Sequence, residues 1–179
     1  MTKLNCVGLG VTLALIFVAA KSEWSYAQLT ANQSTVKTEA RTEKGAAMHA
    51  SGAFDVKLTP QPADEKTNDP LLGRMSIDKH YHGELEATGT GQMLTGGDYK
   101  TGSAGYVAME KVTGTLQGRT GTFLMQHSGT LTQGAQQLSI TIVPGTGTGQ
   151  LAGIAGKMDV KITDGKHFYE LDYTLPESK

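Results

Sequence analysis

The chain has 179 residues and a net charge of −1, from 16 Lys+Arg against 17 Asp+Glu. That length suits one domain, and the lack of a basic block argues against a nucleic-acid-binding surface, which needs clustered Lys and Arg. One cysteine, Cys6, rules out a disulfide framework within the chain, while 23 glycines exceed ordinary usage.

Met1-Thr2-Lys3 is a short positive start, and residues 4–20 form a largely apolar run. Ser25 and Ala27 then stand at the −3 and −1 positions of a cut before Gln28, the small-x-small pattern of a secretory signal peptide. The alternative is an uncleaved anchor, for which the run is at the short edge of a membrane span. The expectation is a signal peptide over residues 1–27 and an exported protein, periplasmic or secreted, with no membrane attachment after cleavage. Removing that segment takes away the lone Cys and the lone Trp and leaves 14 Lys+Arg against 16 Asp+Glu. Residues 28–48 carry only Leu29, Val36 and Met48 as large apolar side chains. Such a stretch buries too little to offset the cost of ordering. It reads as a flexible leader, with weak helical character around 36–44, ahead of a β domain over 49–179.

From there the chain alternates apolar and polar residues in short runs broken by Gly, Pro, Asn and Asp, a strand signature. The predicted strands are 49–58, 74–87 (continuing past a bend to 94), 106–112, 121–131, 137–143, 157–162 and 168–175. Three prolines place residues 60–70 outside the sheet. Gly114, Gly118 and Gly121 punctuate one connection, and Gly145 to Gly149 reads as a turn, since no Lys-Ser/Thr or helix follows to make it a phosphate loop. A short repeat joins Thr88-Gly89-Thr90-Gly91-Gln92-Met93-Leu94 to Thr146-Gly147-Thr148-Gly149-Gln150-Leu151. Seven or eight short strands hide their edges by closing or stacking, and the expected fold is an all-β, closed antiparallel barrel of about eight strands, calycin-like in shape.

Gly147-Thr148-Gly149-Gln150-Leu151-Ala152-Gly153-Ile154-Ala155-Gly156 resembles a segment of allene oxide cyclase-like barrels, an architecture that plant dirigent proteins share. Three further stretches resemble the bacterial domain-of-unknown-function 3224 family. They are Lys79-His80-Tyr81-His82-Gly83-Glu84-Leu85, the run from Gly105-Tyr106 to Thr122-Phe123, and Gln126-His127-Ser128-Gly129-Thr130. Tyr169-Glu170-Leu171-Asp172-Tyr173 fits the same family. The bacterial resemblance implies an antiparallel barrel and little about activity. The cyclase resemblance implies an isomerase acting on an oxidised fatty acid, although its catalytic residues have no one-to-one match in this chain.

At period two, Met75, Ile77, Lys79, Tyr81, Gly83, Leu85 and Ala87 share one face. That face is apolar but for Lys79, which needs a partner if buried. Tyr106, Ala108, Glu110 and Val112 share a face on a later strand, so Lys79 and Glu110 are expected to meet inside the barrel. Such a pair anchors a ligand carboxylate, tunes a general acid or base, or is a structural ion pair. In Gln126-His127 one side chain points inward, and His127 is the better candidate for proton transfer. His80, His82 and Glu84 can approach a zinc ligand set, but their solvated, charged face favours no metal. Arg119 reads as an exposed turn residue, and Tyr169 and Tyr173 share a face that lines a pocket mouth or packs. No G-x-S-x-G and no catalytic Cys is present.

Three functional readings follow. The first is a cavity of about 300 Å³ or more for a small apolar or amphipathic ligand. Lys79, Glu110, Gln126 and His127 would be its polar groups and Tyr81, Phe123 and Tyr173 its apolar walls. The second is an isomerase or cyclase-like enzyme using Lys79, Glu110 and His127. The third is a packed barrel acting through its surface. No cofactor is called for, and homo-oligomerisation stays open.

Overall fold

The computed structural model describes residues 45–62, 66 and 69–177. The signal segment, its cleavage site and the 36–44 stretch lie outside the described residues. Eight antiparallel strands close into one barrel in chain order. They are β1 (Ala47–Gln61), β2 (Leu72–Gly83), β3 (Leu85–Asp98), β4 (Ser103–Leu116), β5 (Arg119–Thr132), β6 (Ala135–Ile142), β7 (Ala155–Thr163) and β8 (Lys166–Thr174). Closure comes from β1 pairing with β8, Ala50 opposite Leu171. The meander arises from local turn chemistry. Gln117-Gly118, Gln133-Gly134 and Asp164-Gly165 each place two successive residues at positive φ. That is the geometry of the tight two-residue turns whose twist matches antiparallel strands.

Three predicted boundaries change. The run predicted as one strand over 74–87 is a hairpin: β2 ends at Gly83, which has φ +109°, and β3 begins at Leu85. The alternation hides this because Tyr81 pairs with Ala87, so the inward phase passes through the turn unbroken. Pro60 is inside β1, opposite Met75, and not in a loop. Its missing N–H costs little there, because β1 pairs with β8 only as far as Phe54 and its later half has one open edge. Gly114 and Gly121 do not mark a connection. They face each other within the β4–β5 ladder, and only Gly118 is at the turn.

The inward phase divides the barrel along its length. At one end Leu85, Leu116, Leu151, Ile154, Met158, Tyr169, Leu171 and Tyr173 are buried and pack together. The β6–β7 connection closes this end. Its Thr148 N–H donates to Thr122 O at 2.8 Å, and a 3₁₀ turn over Gly149–Leu151 carries Leu151 into the core. At the other end the wall splays. β6 and β7 share only the Thr141–Lys157 pair, and β1 has run past β8. There the inward-facing Leu58, Leu138 and Ile162 remain 43%, 43% and 57% exposed. The barrel is a cup with a packed base and an apolar, open lip.

Candidate functional site

The cavity of this cup has a volume of about 250 Å³. That is slightly under the size expected from the sequence reading. Leu58, Ile77, Leu138, Ile140, Val160 and Ile162 are part of its apolar wall, and Lys79 and His127 also line it.

Lys79 is on β2 and Glu110 on β4, with β3 between them. The two side chains can meet because the intervening strand carries glycine: a Cβ on Gly89 would fall 2.0 Å from Glu110 Oε1. Glu110 is fully buried, and its carboxylate is surrounded by donors. Lys79 Nζ donates to Oε2 at 2.7 Å, and the Tyr81 hydroxyl donates to Oε1 at 2.8 Å. Lys79 Nζ also donates to the Tyr81 hydroxyl at 3.1 Å and lies 4.8 Å from the Phe54 ring centroid. Burial pushes the Glu110 pKa upward. Contact with His127 and the charge and hydrogen bond of Lys79 outweigh it, so the carboxyl sits below its ordinary value. Burial first, then the Glu110 charge and hydrogen bond, raise the Tyr81 pKa well above 10.0. Tyr81 is therefore a fixed donor.

His127 is buried and completes the cluster. Its Nε2 lies 3.1 Å from Glu110 Oε2. The two are not aligned for a hydrogen bond, which leaves Nε2 as a buried side-chain polar atom without a hydrogen-bond partner. A carboxylate oxygen at that distance favours an N–H over a lone pair at Nε2. Nδ1 has no hydrogen-bond partner among the described residues and is not sealed off as Nε2 is.

The structure therefore brings Lys79, Tyr81, Glu110 and His127 together, as the Lys79–Glu110 phase argument requires. It corrects the rest of the predicted set. Gln126 points outward and is exposed, because His127 takes the inward phase of β5. Tyr81 is a hydrogen-bonding member of the cluster behind Lys79, not an apolar wall of the cavity. Phe123 is buried in the packed core and does not reach the cavity. Tyr173 is at the closed end, where its hydroxyl donates to Gln117 Oε1 at 2.7 Å. Tyr169 packs edge-on against Tyr81 with centroids 5.7 Å apart, and its hydroxyl accepts from Leu85 N–H at 2.9 Å. His80 and His82 are exposed on the outer face, and among the described residues no group of three His, Cys, Asp or Glu is placed to hold a metal ion.

Sequence reasoning missed His167 and Tyr106. Both line the cavity, and the His167 ring stacks 5.0 Å from Phe54. The signal was present, since His167 shares the inward phase of Tyr169 and Tyr173. It also missed a polar belt at the closed end. There Gln117 Nε2 donates to Glu84 Oε1 at 2.7 Å, and Ser51 N–H donates to Glu84 Oε2 at 2.7 Å. Glu84 is thus a structural turn residue. The segment that resembles allene oxide cyclase-like barrels forms the plug of the closed end and does not contribute to the cavity.

Comparison with curated proteins finds no match. The chain is similar to a crystal structure from Shewanella oneidensis MR-1 described as a protein of unknown function from the DUF3224 family. The two are 44% identical with a TM-score of 0.68, and the match covers 74% of this chain and all of that one. The family model for proteins of unknown function DUF3224 matches residues 50–173. With the closed eight-strand barrel in place and the family pattern spanning nearly all of it, the chain belongs to the DUF3224 family.

Proposed function

We propose that this protein is exported and binds a small apolar or amphipathic molecule in the barrel cavity. The observation that carries the reading is the half-filled barrel. Leu58, Leu138 and Ile162 point inward yet remain open to solvent, and the cavity they surround ends on two polar side chains, Lys79 and His127. Apolar surface kept open at inward positions is unfavourable in a free monomer and is covered when a ligand body enters. The polar floor then orients the ligand. At about 250 Å³ the cavity suits a ligand at or below the small end of drug-sized molecules, or a longer one that leaves part of itself at the splayed lip.

Export is supported by the apolar run of residues 4–20 followed by Ser25-Tyr26-Ala27. Sequencing the N-terminus of protein recovered from outside the cytoplasm should start at Gln28. A chain that keeps Met1 there contradicts cleavage. For the cavity, native mass spectrometry of protein purified from its own host should show a bound small molecule that is released on denaturation. Repeated recovery of the bare mass from fresh, gently handled preparations overturns the binding reading.

A further inference from the structure

We propose that the cavity selects amphiphiles with an anionic head, and that binding one charges His127 by proton uptake. The inference rests on the cavity reading above and adds the chemical class of the ligand.

The floor of the cavity presents N–H donors and no free carboxylate oxygen. An ammonium has three N–H donors. Lys79 gives one to Glu110 and one to Tyr81, and no acceptor among the described residues engages the third. Glu110 presents nothing: it is fully buried, and both of its oxygens are already bonded. A cationic head entering the cup therefore meets the Lys79 ammonium and cannot reach the carboxylate. A neutral head gains one hydrogen bond. An anionic head gains a charge-assisted bond from Lys79, in surroundings where such bonds are stronger than in water.

His127 supplies the second half. The Lys79–Glu110 pair is neutral overall, so an added anion leaves the floor one positive charge short. Protonated at Nδ1, His127 provides that charge, with Nε2–H toward Glu110 Oε2 at 3.1 Å and Nδ1–H toward the ligand. Two imidazoles line this space, and His127 is the one set against the Glu110 carboxylate. β4 contributes Tyr106 at the lumen, with Glu110 buried behind Lys79, and burial raises the Tyr106 pKa from 10.0, which keeps it neutral. β2 contributes Lys79 across the lumen, and β8 contributes His167, stacked on Phe54. Tyr99 also lines the cavity, from the β3–β4 connection. From β6 and β7 the cavity receives Gln136, Gln137, Leu138, Ile140, Val160 and Ile162, none of them titratable.

The test uses one tail with three heads: octyl sulfate, octanol and octylammonium, titrated calorimetrically into the full mature protein. A sulfate stays ionised throughout, so any pH dependence belongs to the protein. At pH 6 octyl sulfate should bind at least about tenfold more tightly than octanol, with octylammonium weakest, the scale of one charge-assisted hydrogen bond. Repeating the titration in two buffers of different ionisation enthalpy should show net proton uptake. Octyl sulfate affinity should fall as pH rises from 6 to 8, and His127→Gln, checked for its folded spectrum, should flatten that dependence. The wild-type arms need no variant. If octanol binds as tightly as octyl sulfate, the head-group inference fails and the cavity reading stands. If octyl sulfate binds without proton uptake, the role of His127 fails. If none of the three binds, the cavity reading falls and takes this inference with it.

Discussion

The two halves of the barrel are built on the same alternation and end differently. In the closed half, inward residues meet each other: Leu85, Leu116, Leu151 and Leu171 are fully or almost fully buried. In the open half the same phase gives Leu58, Leu138 and Ile162, which meet solvent. The difference comes from the chain crossings. The 12-residue span between β6 and β7 folds over the closed end and donates Leu151 and Ile154 to it. At the other end three of the four crossings are short, a two-residue turn at Gln133-Gly134, another at Asp164-Gly165 and a short 3₁₀ turn, the fourth being residues 62–71 between β1 and β2, and the β6–β7 and β1–β8 seams part. The buried cluster of Lys79, Tyr81, Glu110 and His127 sits at the junction. Its charged members are sealed from below by packing, while Lys79 and His127 still face the lumen.

The largest way to break this arrangement is to remove one charge from the junction. Lys79→Met leaves Glu110 buried without its cation and should lower stability by about 3–5 kcal/mol, measured by urea unfolding. Replacing both, Lys79→Met with Glu110→Met, should recover most of that loss, because no lone charge remains. The same pair sets an acid limit. Glu110 has a folded pKa below its ordinary value of 4.5, so its contribution is complete above that value. It is lost as pH falls through the folded pKa, and unfolding curves taken on either side of pH 4.5 check this.

The next contrast compares the halves directly. Leu151→Ala at the plug should cost about 2–5 kcal/mol, as for other buried leucines. Leu138→Ala at the lip should stay within about 0.5 kcal/mol in the free protein, as exposed substitutions do. Equal losses at the two sites would remove the distinction between base and lip. A smaller effect is expected at Gly89, where the Cβ of Gly89→Ala meets the Glu110 carboxylate. Crowding of this kind costs about 1–3 kcal/mol, read from the thermal midpoint.

These contrasts also mark what the sequence made legible. Lys79 and Glu110 were readable because each is the single charge in an apolar phase, and phase alone decides which way a strand residue points. The same rule chooses His127 over Gln126 once the register of β5 is known, and the dipeptide by itself does not contain that register. The hairpin at Glu84 was hidden because its turn preserves parity. The Thr-Gly-Thr-Gly-Gln repeat shows the limit most clearly. Residues 88–92 lie inside β3, whereas residues 146–150 form the irregular crossing and the start of its 3₁₀ turn. Near-identical residues take different conformations because β3 has a paired neighbour on each side, while the later copy hangs over the edge of β5. Placement of His167 and Tyr106 beside the cavity depends on where the seams splay, a property of the closed sheet as a whole.

Ligand binding by the open half, above a closed half of solid core, is the proposal on which the rest depends. Methyl-resolved NMR during titration with octanol tests it most directly. Saturable shifts are expected at Leu58, Ile77, Leu138, Ile140, Val160 and Ile162, with Leu85, Leu116, Leu151 and Leu171 unmoved. Shifts confined to the outward, exposed Leu94, Val107 and Met109, or no saturable shift at all, would contradict it.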